Sequence, residues 1–204
     1  MIALSLWSFR GMALLAGALA LSWWLWRRLR REDPQRFLAQ RLEQDAGDPY
    51  RSWVQSAFLV VTGNCDYGHL PRGEAMRMLS SWWDVHGPNE HRRMLAQLAE
   101  SGRPDNAWDL LRFVLLMRLG VAAGYVDDAG AWAGIRPIAR RLQGAYGDWP
   151  AMAHAYLLAR RQARGLAADG TEDDASTQAI RDNIAHLHGG RWAQLPWSTP
   201  LGDG

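Results

Sequence analysis

Apolar positions fall into two arrangements along this chain. The first is a nearly unbroken run over residues 2–26, which charge interrupts only at Arg10. Residues 11–26 alone would extend about 24 Å as a helix, and with the apolar residues before Arg10 the stretch reaches the length a bilayer core requires. An arginine near a helix end can extend to the interface. Trp23, Trp24 and Trp26 directly precede Arg27, Arg28, Arg30 and Arg31, the order of indoles at headgroup level followed by a basic flank. The pattern predicts a single-pass transmembrane helix, with residues 1–31 forming an anchor and its basic flank. A signal peptide cleaved after Ala18-Leu19-Ala20 is the rival reading. Its charge lies on the wrong side, with one arginine before the run and four after it. A buried soluble helix fits less well, because only Ser22 breaks the apolar surface of residues 11–26. The positive-inside rule puts the flank and everything after it in the cytoplasm, at the inner membrane.

The second arrangement begins beyond Arg31. Apolar residues recur there at helical spacing, punctuated by Gly, Pro and Asp. Residues 32–49 are expected to form a linker helix and residues 50–200 a helical domain. Residues 50–62 set Trp53, Val54, Ala57, Phe58 and Val61 at helical intervals, although 58–61 alone would also suit a buried strand. Pro71 opens a helix expected to bury Ala75, Met78, Leu79, Trp82 and Trp83. Residues 90–100 turn Met94, Leu95 and Leu98 inward. Residues 105–123 are apolar almost all round and read as the central buried helix, since Asp109, Arg112 and Arg118 would make a membrane span costly. Asp127 or Asp128 caps a helix reaching Gly144, which Pro137 should kink. Asp148 caps another, with Pro150 in its first turn, reaching Arg164. Residues 165–175 read as a mobile acidic loop, and Ser176 as the cap of a last helix through Leu187. A tail with Trp192, Leu195 and Trp197 follows. Neither Asn-Gly hairpins nor period-two runs occur. The class is all-α: a single compact helical domain behind one N-terminal transmembrane helix.

Charge changes the picture only by its location. The net charge of +2 and pI near 9.0 come from residues 1–31, where five arginines face no acid. Residues 32–204 carry 18 arginines against 21 acids, giving −3. A nucleic-acid binder needs a basic face on its folded domain, so no nucleic-acid partner is expected. All 23 basic residues are arginine, which excludes Schiff-base lysine chemistry, pyridoxal phosphate enzymes and a Walker-type phosphate loop. The single cysteine, Cys65, cannot form an internal disulfide or by itself a cysteine-rich zinc site.

Candidate chemistry is sparse. No Gly-x-Ser-x-Gly, His-Glu-x-x-His or Gly-x-Gly-x-x-Gly motif occurs. His186 and His188 point to different sides of a helix, so no metal and no cofactor are expected, and no catalytic residue is assigned. Cys65-Asp66-Tyr67-Gly68-His69 could supply a nucleophile and a base, but a turn with its polar side chains in water is the favoured reading. Asp109 and Arg112 lie three apart on one helix face, with Arg118 opposite. Charges on a buried helix must be paired, and Arg160 or Arg161 are the expected partners of Asp109. Two interpretations follow: an ion-pair lock between helices, or a pocket rimmed by Asp109, Arg112, Tyr125, Tyr156 and Arg160 for an anionic or peptide ligand.

From Ala107 onward the chain resembles a bacterial domain-of-unknown-function family, the one numbered twelve sixty-six. The resemblance is carried by Ala107-Trp108-Asp109-Leu110-Leu111-Arg112, Gly124-Tyr125-Val126, Ala131-Trp132, Asp148-Trp149, Ala155-Tyr156-Leu157-Leu158-Ala159-Arg160 and Leu195-Pro196-Trp197. Trp83-Asp84-Val85 is similar to an upstream element, so the likeness covers about residues 70–198. Ala159 stands where the family usually has glycine. The resemblance implies a compact helical domain and supplies no activity. Its recurring tryptophans add Trp132 and Trp149 to the residues of the lock or pocket.

The expected function is a non-enzymatic interaction module, anchored in the membrane through residues 2–26 and meeting an unknown protein partner. One alternative is a hydrolase or transferase using Asp109 and Arg112 with His154 or His69. Another is an immunity or accessory protein of a bacterial toxin or secretion system.

Overall fold

Asp48 accepts a hydrogen bond from the Arg51 amide at 3.1 Å, and Pro49 occupies the first turn, so the chain enters α1 (Pro49–Thr62) at a capped end. Gly63, with φ of 69°, ends it. Residues 58–61 are therefore helical rather than a strand, and Trp53, Ala57, Phe58 and Val60 on this helix are buried. The computed structural model describes residues 43–45, 47–63, 66–100, 106–167 and 173–202, all within one unit, Leu38–Gly204. The predicted anchor, most of the linker helix, Cys65 and the middle of the acidic segment 165–175 lie outside the described residues. After α1 come a 3₁₀ turn (Tyr67–His69), α2 (Arg72–Trp83), α3 (Pro88–Glu100), α4 (Ala107–Ala123), α5 (Asp128–Ala145), α6 (Trp149–Ala163), α7 (Ala175–Gly189) and the short α8 (Arg191–Gln194). Every regular element among the described residues is helical. None of those helices is long and apolar enough to cross a membrane.

The near-uniform apolarity of α4 places it at the centre. It packs against α1, α2, α3, α5, α6 and the 3₁₀ turn, and most of its residues from Leu110 to Gly120 are buried. Asn106 caps it, accepting from the Trp108 amide, and Gly124 closes it with φ of 74°. Asp127 and Asp148 cap α5 and α6 through the Gly130 and Ala151 amides, and α5 is one element through Pro137.

Two expectations need correction. The buried positions of α2 are Ala75, Leu79 and Trp83, four residues apart, so Trp83 faces inward at 8% exposure and Trp82 is 58% exposed. The cap of α7 is Asp174, which accepts from the Thr177 amide at 2.6 Å; Ser176 lies inside the first turn.

Beyond α8 the tail closes the domain without regular structure. The Trp53 and Trp149 indoles donate to the Trp197 and Leu195 carbonyls, both at 2.8 Å. Gln143 donates to the carbonyls of Trp197 and Thr199. Leu201 is buried, and Arg136 donates to its carbonyl while lying over the Tyr50 ring. Trp149 stacks on Trp192 at 5.5 Å, and its ring meets Trp197 edge-on at 4.8 Å.

Candidate functional site

Four of the seven residues singled out from the sequence meet around Trp108 at the start of α4. Asp109 Oδ1 accepts from Arg112 Nη1 at 3.4 Å and its Oδ2 from Asn106 at 2.8 Å. The Arg112 guanidinium carbon lies 4.5 Å from the Trp83 ring centroid and 5.2 Å from that of Trp108. Arg160, on α6, sits over Trp108 at 5.5 Å, and the Trp108 and Tyr156 rings are 5.3 Å apart. Burial pushes the Tyr156 phenol up to about 12, against the opposing pull of Arg160 and Arg112, so it stays protonated near neutral pH.

The partners differ from those expected. Arg160 donates to the hydroxyls of Thr177 and Ser176, and Arg161 to the Ala167 carbonyl and Asp173. Neither reaches Asp109, which pairs within its own helix turn. Tyr125 lies elsewhere, edge-on to the buried His91 ring at 5.8 Å. Trp132 is on another face, where its carbonyl accepts from the Tyr50 hydroxyl at 2.6 Å, and Trp149 belongs to the tail cluster. His154 is exposed on α6. His69 stands 3.7 Å from Asp66.

A buried ion-pair lock does exist, centred on Arg118. Its Nε and Nη2 each donate to Asp66 at 3.0 Å, and its Nη1 to Asp128 at 2.7 Å. The side chain is 1% exposed and lies 4.7 Å from the Trp132 ring. Burial alone would lower its pKa, but the charge and hydrogen bonds of Asp66, aided by Asp128, raise it. Asp66 is thus buried rather than in water as the loop reading held, and Gly68 is required there: a Cβ would sit 2.2 Å from Arg118 Nη2.

Two clefts flank the Trp108 cluster. One, of about 580 Å³, lies between α2, α3 and α4, lined by Trp82, Trp83, Met94, Gln97, Asp109 and Arg112. The other, of about 670 Å³, is lined by Trp108, Tyr146, Ala155, Leu158 and Ala159 among others. The residues that sequence reasoning left out are Trp108 as the hub and Trp82 and Trp83 as cleft walls. Trp108 was legible, since it stands one turn before Arg112 on the same helix face. Among the described residues no group of three or more His, Cys, Asp or Glu side chains could hold a metal ion.

These features define a helical domain wrapped around one buried helix, with charged and aromatic side chains gathered at that helix's first turn. A model of the family described as "Protein of unknown function (DUF1266)" matches residues 105–197, from just before α4 to the tail tryptophan, in agreement with the resemblance carried by the residues themselves. No curated protein and no solved structure matches the chain.

Proposed function

We propose that this chain is a non-enzymatic interaction module, anchored in the inner membrane by residues 2–26, whose cytoplasmic domain docks a partner protein on the cleft between α2, α3 and α4. The observation that carries this reading is Trp82, a large indole 58% exposed at a cleft whose wall holds Trp83 and the stacked Arg112. Tryptophan and arginine are the side chains that dominate binding energy at protein interfaces. Asp109 has both carboxylate oxygens engaged by Asn106 and Arg112, which favours recognition over acid–base work. The uncharged run and its arginine flank support the tether and its direction.

The experiment replaces Trp82 with a photo-crosslinking benzoylphenylalanine in the full chain and irradiates intact cells. A discrete crosslinked product is expected at that position, and none from the same replacement at exposed Gln178. Equal labelling at both positions, or none at Trp82, removes the docking reading. Alkaline extraction of membranes tests the tether: the full chain stays with the lipid, and recovery in the soluble fraction refutes it.

A further inference from the structure

We infer that the cleft between α2, α3 and α4 takes a cationic side chain from a basic segment of the partner protein, laid over Trp82 and paired with Asp84. The inference rests on the docking reading above and names the chemistry of the partner. Arginine covers indole rings repeatedly in this domain: Arg112 lies over Trp83 and Trp108, Arg160 over Trp108, and Arg51 and Arg118 over Trp132. Trp82 also lines the cleft, is 58% exposed and has no cation over it among the described residues. An open indole face attracts a cation from outside the domain.

Asp84 supplies the opposite charge. It ends α2 with φ of 53°, and among the described residues it is the one residue other than glycine with a positive φ. Glycine or asparagine takes that conformation readily, and neither would set an anion at the negative end of the α2 dipole, as Asp84 does. A cation in the cleft offsets that cost. The Asp84 side chain is 96% exposed, and His86 Nε2 meets Oδ1 at 2.9 Å, leaving Oδ2 to solvent. The other charges on the walls offset one another, since Asp109 is paired with Arg112, so Asp84 sets the sign of the cleft. Ser80, Ser81 and Gln97 line it too, and their oxygens can accept further N–H bonds. The charge of −3 over residues 32–204 favours basic partners over acidic ones. A domain tethered at the inner face of the membrane meets them as the arginine- and lysine-rich segments that flank the spans of other proteins.

The test uses the full chain in phosphatidylcholine nanodiscs with ¹⁵N-labelled tryptophan, following the Trp82 indole resonance, assigned by Trp82→Phe. The probes are N-acetylarginine amide and N-acetylcitrulline amide, which keeps the shape and the N–H groups and lacks the charge. The arginine probe is expected to shift the resonance saturably, and the citrulline probe to bind about fivefold more weakly, the worth of one exposed cation–π contact or ion pair. Asp84→Asn, which suits the left-handed cap, should bring the arginine probe to the citrulline level without lowering the urea midpoint. Equal binding of the two probes overturns the cation, and unchanged binding in Asp84→Asn overturns the carboxylate. A lower midpoint in that variant overturns the reading of Asp84 as held there at a cost, and no saturable shift at Trp82 overturns the site. The segment captured by the Trp82 crosslink, mapped by chymotryptic digestion and mass spectrometry, is expected to be net basic. A neutral or acidic segment overturns the inference and leaves docking standing, whereas loss of the crosslink removes docking and the partner together.

Discussion

A guanidinium shut away from water is costly unless carboxylates pair with it, and Arg118 is paired with two. Removing it leaves Asp66 buried without its countercharge, so Arg118→Ala should cost about 3–5 kcal/mol in urea unfolding. Arg112 is about a third exposed and its partner is one turn away, so Arg112→Ala should cost about 1 kcal/mol in the same measurement. That contrast reverses the weight a reader of the sequence would assign. Helical period places Asp109 beside Arg112 and Arg118 opposite, but it says nothing of Asp66, 52 positions upstream in a loop. His91 is another buried titratable group. Its Nε2–H donates to the Leu116 carbonyl at 2.9 Å, and burial lowers its pKa below the ordinary imidazole value. The unfolded chain thus takes up a proton at higher pH than the folded one. Its contribution is complete above a pH of about 6.5 and is lost as pH falls from there through the folded value. Thermal midpoints should drop between pH 7 and 5, and His91→Gln should flatten that drop while lowering the midpoint at pH 7.

At the scale of elements, α3 and α4 approach closely because Gly120 has no side chain. A Cβ there would sit 2.4 Å from the His91 ring. Gly120→Ala should destabilise by about 1–3 kcal/mol through overpacking, read from the denaturant midpoint. Element identity was legible where an aspartate preceded a proline and an apolar stripe, as at Asp148, whereas the capping role of Asp48 emerged only in the structure. It misled where two candidates competed. Asp173 is drawn inward by Arg161 and Arg181, which leaves the adjacent Asp174 to cap α7 ahead of Ser176. In α2 the choice between Trp82 and Trp83 turned on which neighbours cover the helix, and pairing of helices is not written in the period of either one. The candidate site was half legible for the same reason: the family-like segments name Trp108, Asp109, Arg112, Tyr156 and Arg160, which meet, but also Tyr125, Trp132 and Trp149, which serve other contacts.

For the molecule as a whole, the described domain is completed by its last residues. Trp197 fills the space between Trp53 and Trp149, at 4.9 and 4.8 Å, and donates to the Tyr146 carbonyl at 2.8 Å. Trp197→Ala should cost about 3 kcal/mol, measured by unfolding with near-ultraviolet circular dichroism as a second probe. The sequence suggests that the tail tryptophans pack somewhere, but spacing does not show that they return to a helix 144 positions earlier. Order of synthesis gives that return its consequence. The ribosome delivers Trp53 first, Trp149 nearly a hundred residues later and the tail after both, so two large indoles lack their cover until translation has passed Leu201. The nascent domain spends that interval with a sticky seam open, and chaperone capture should concentrate there.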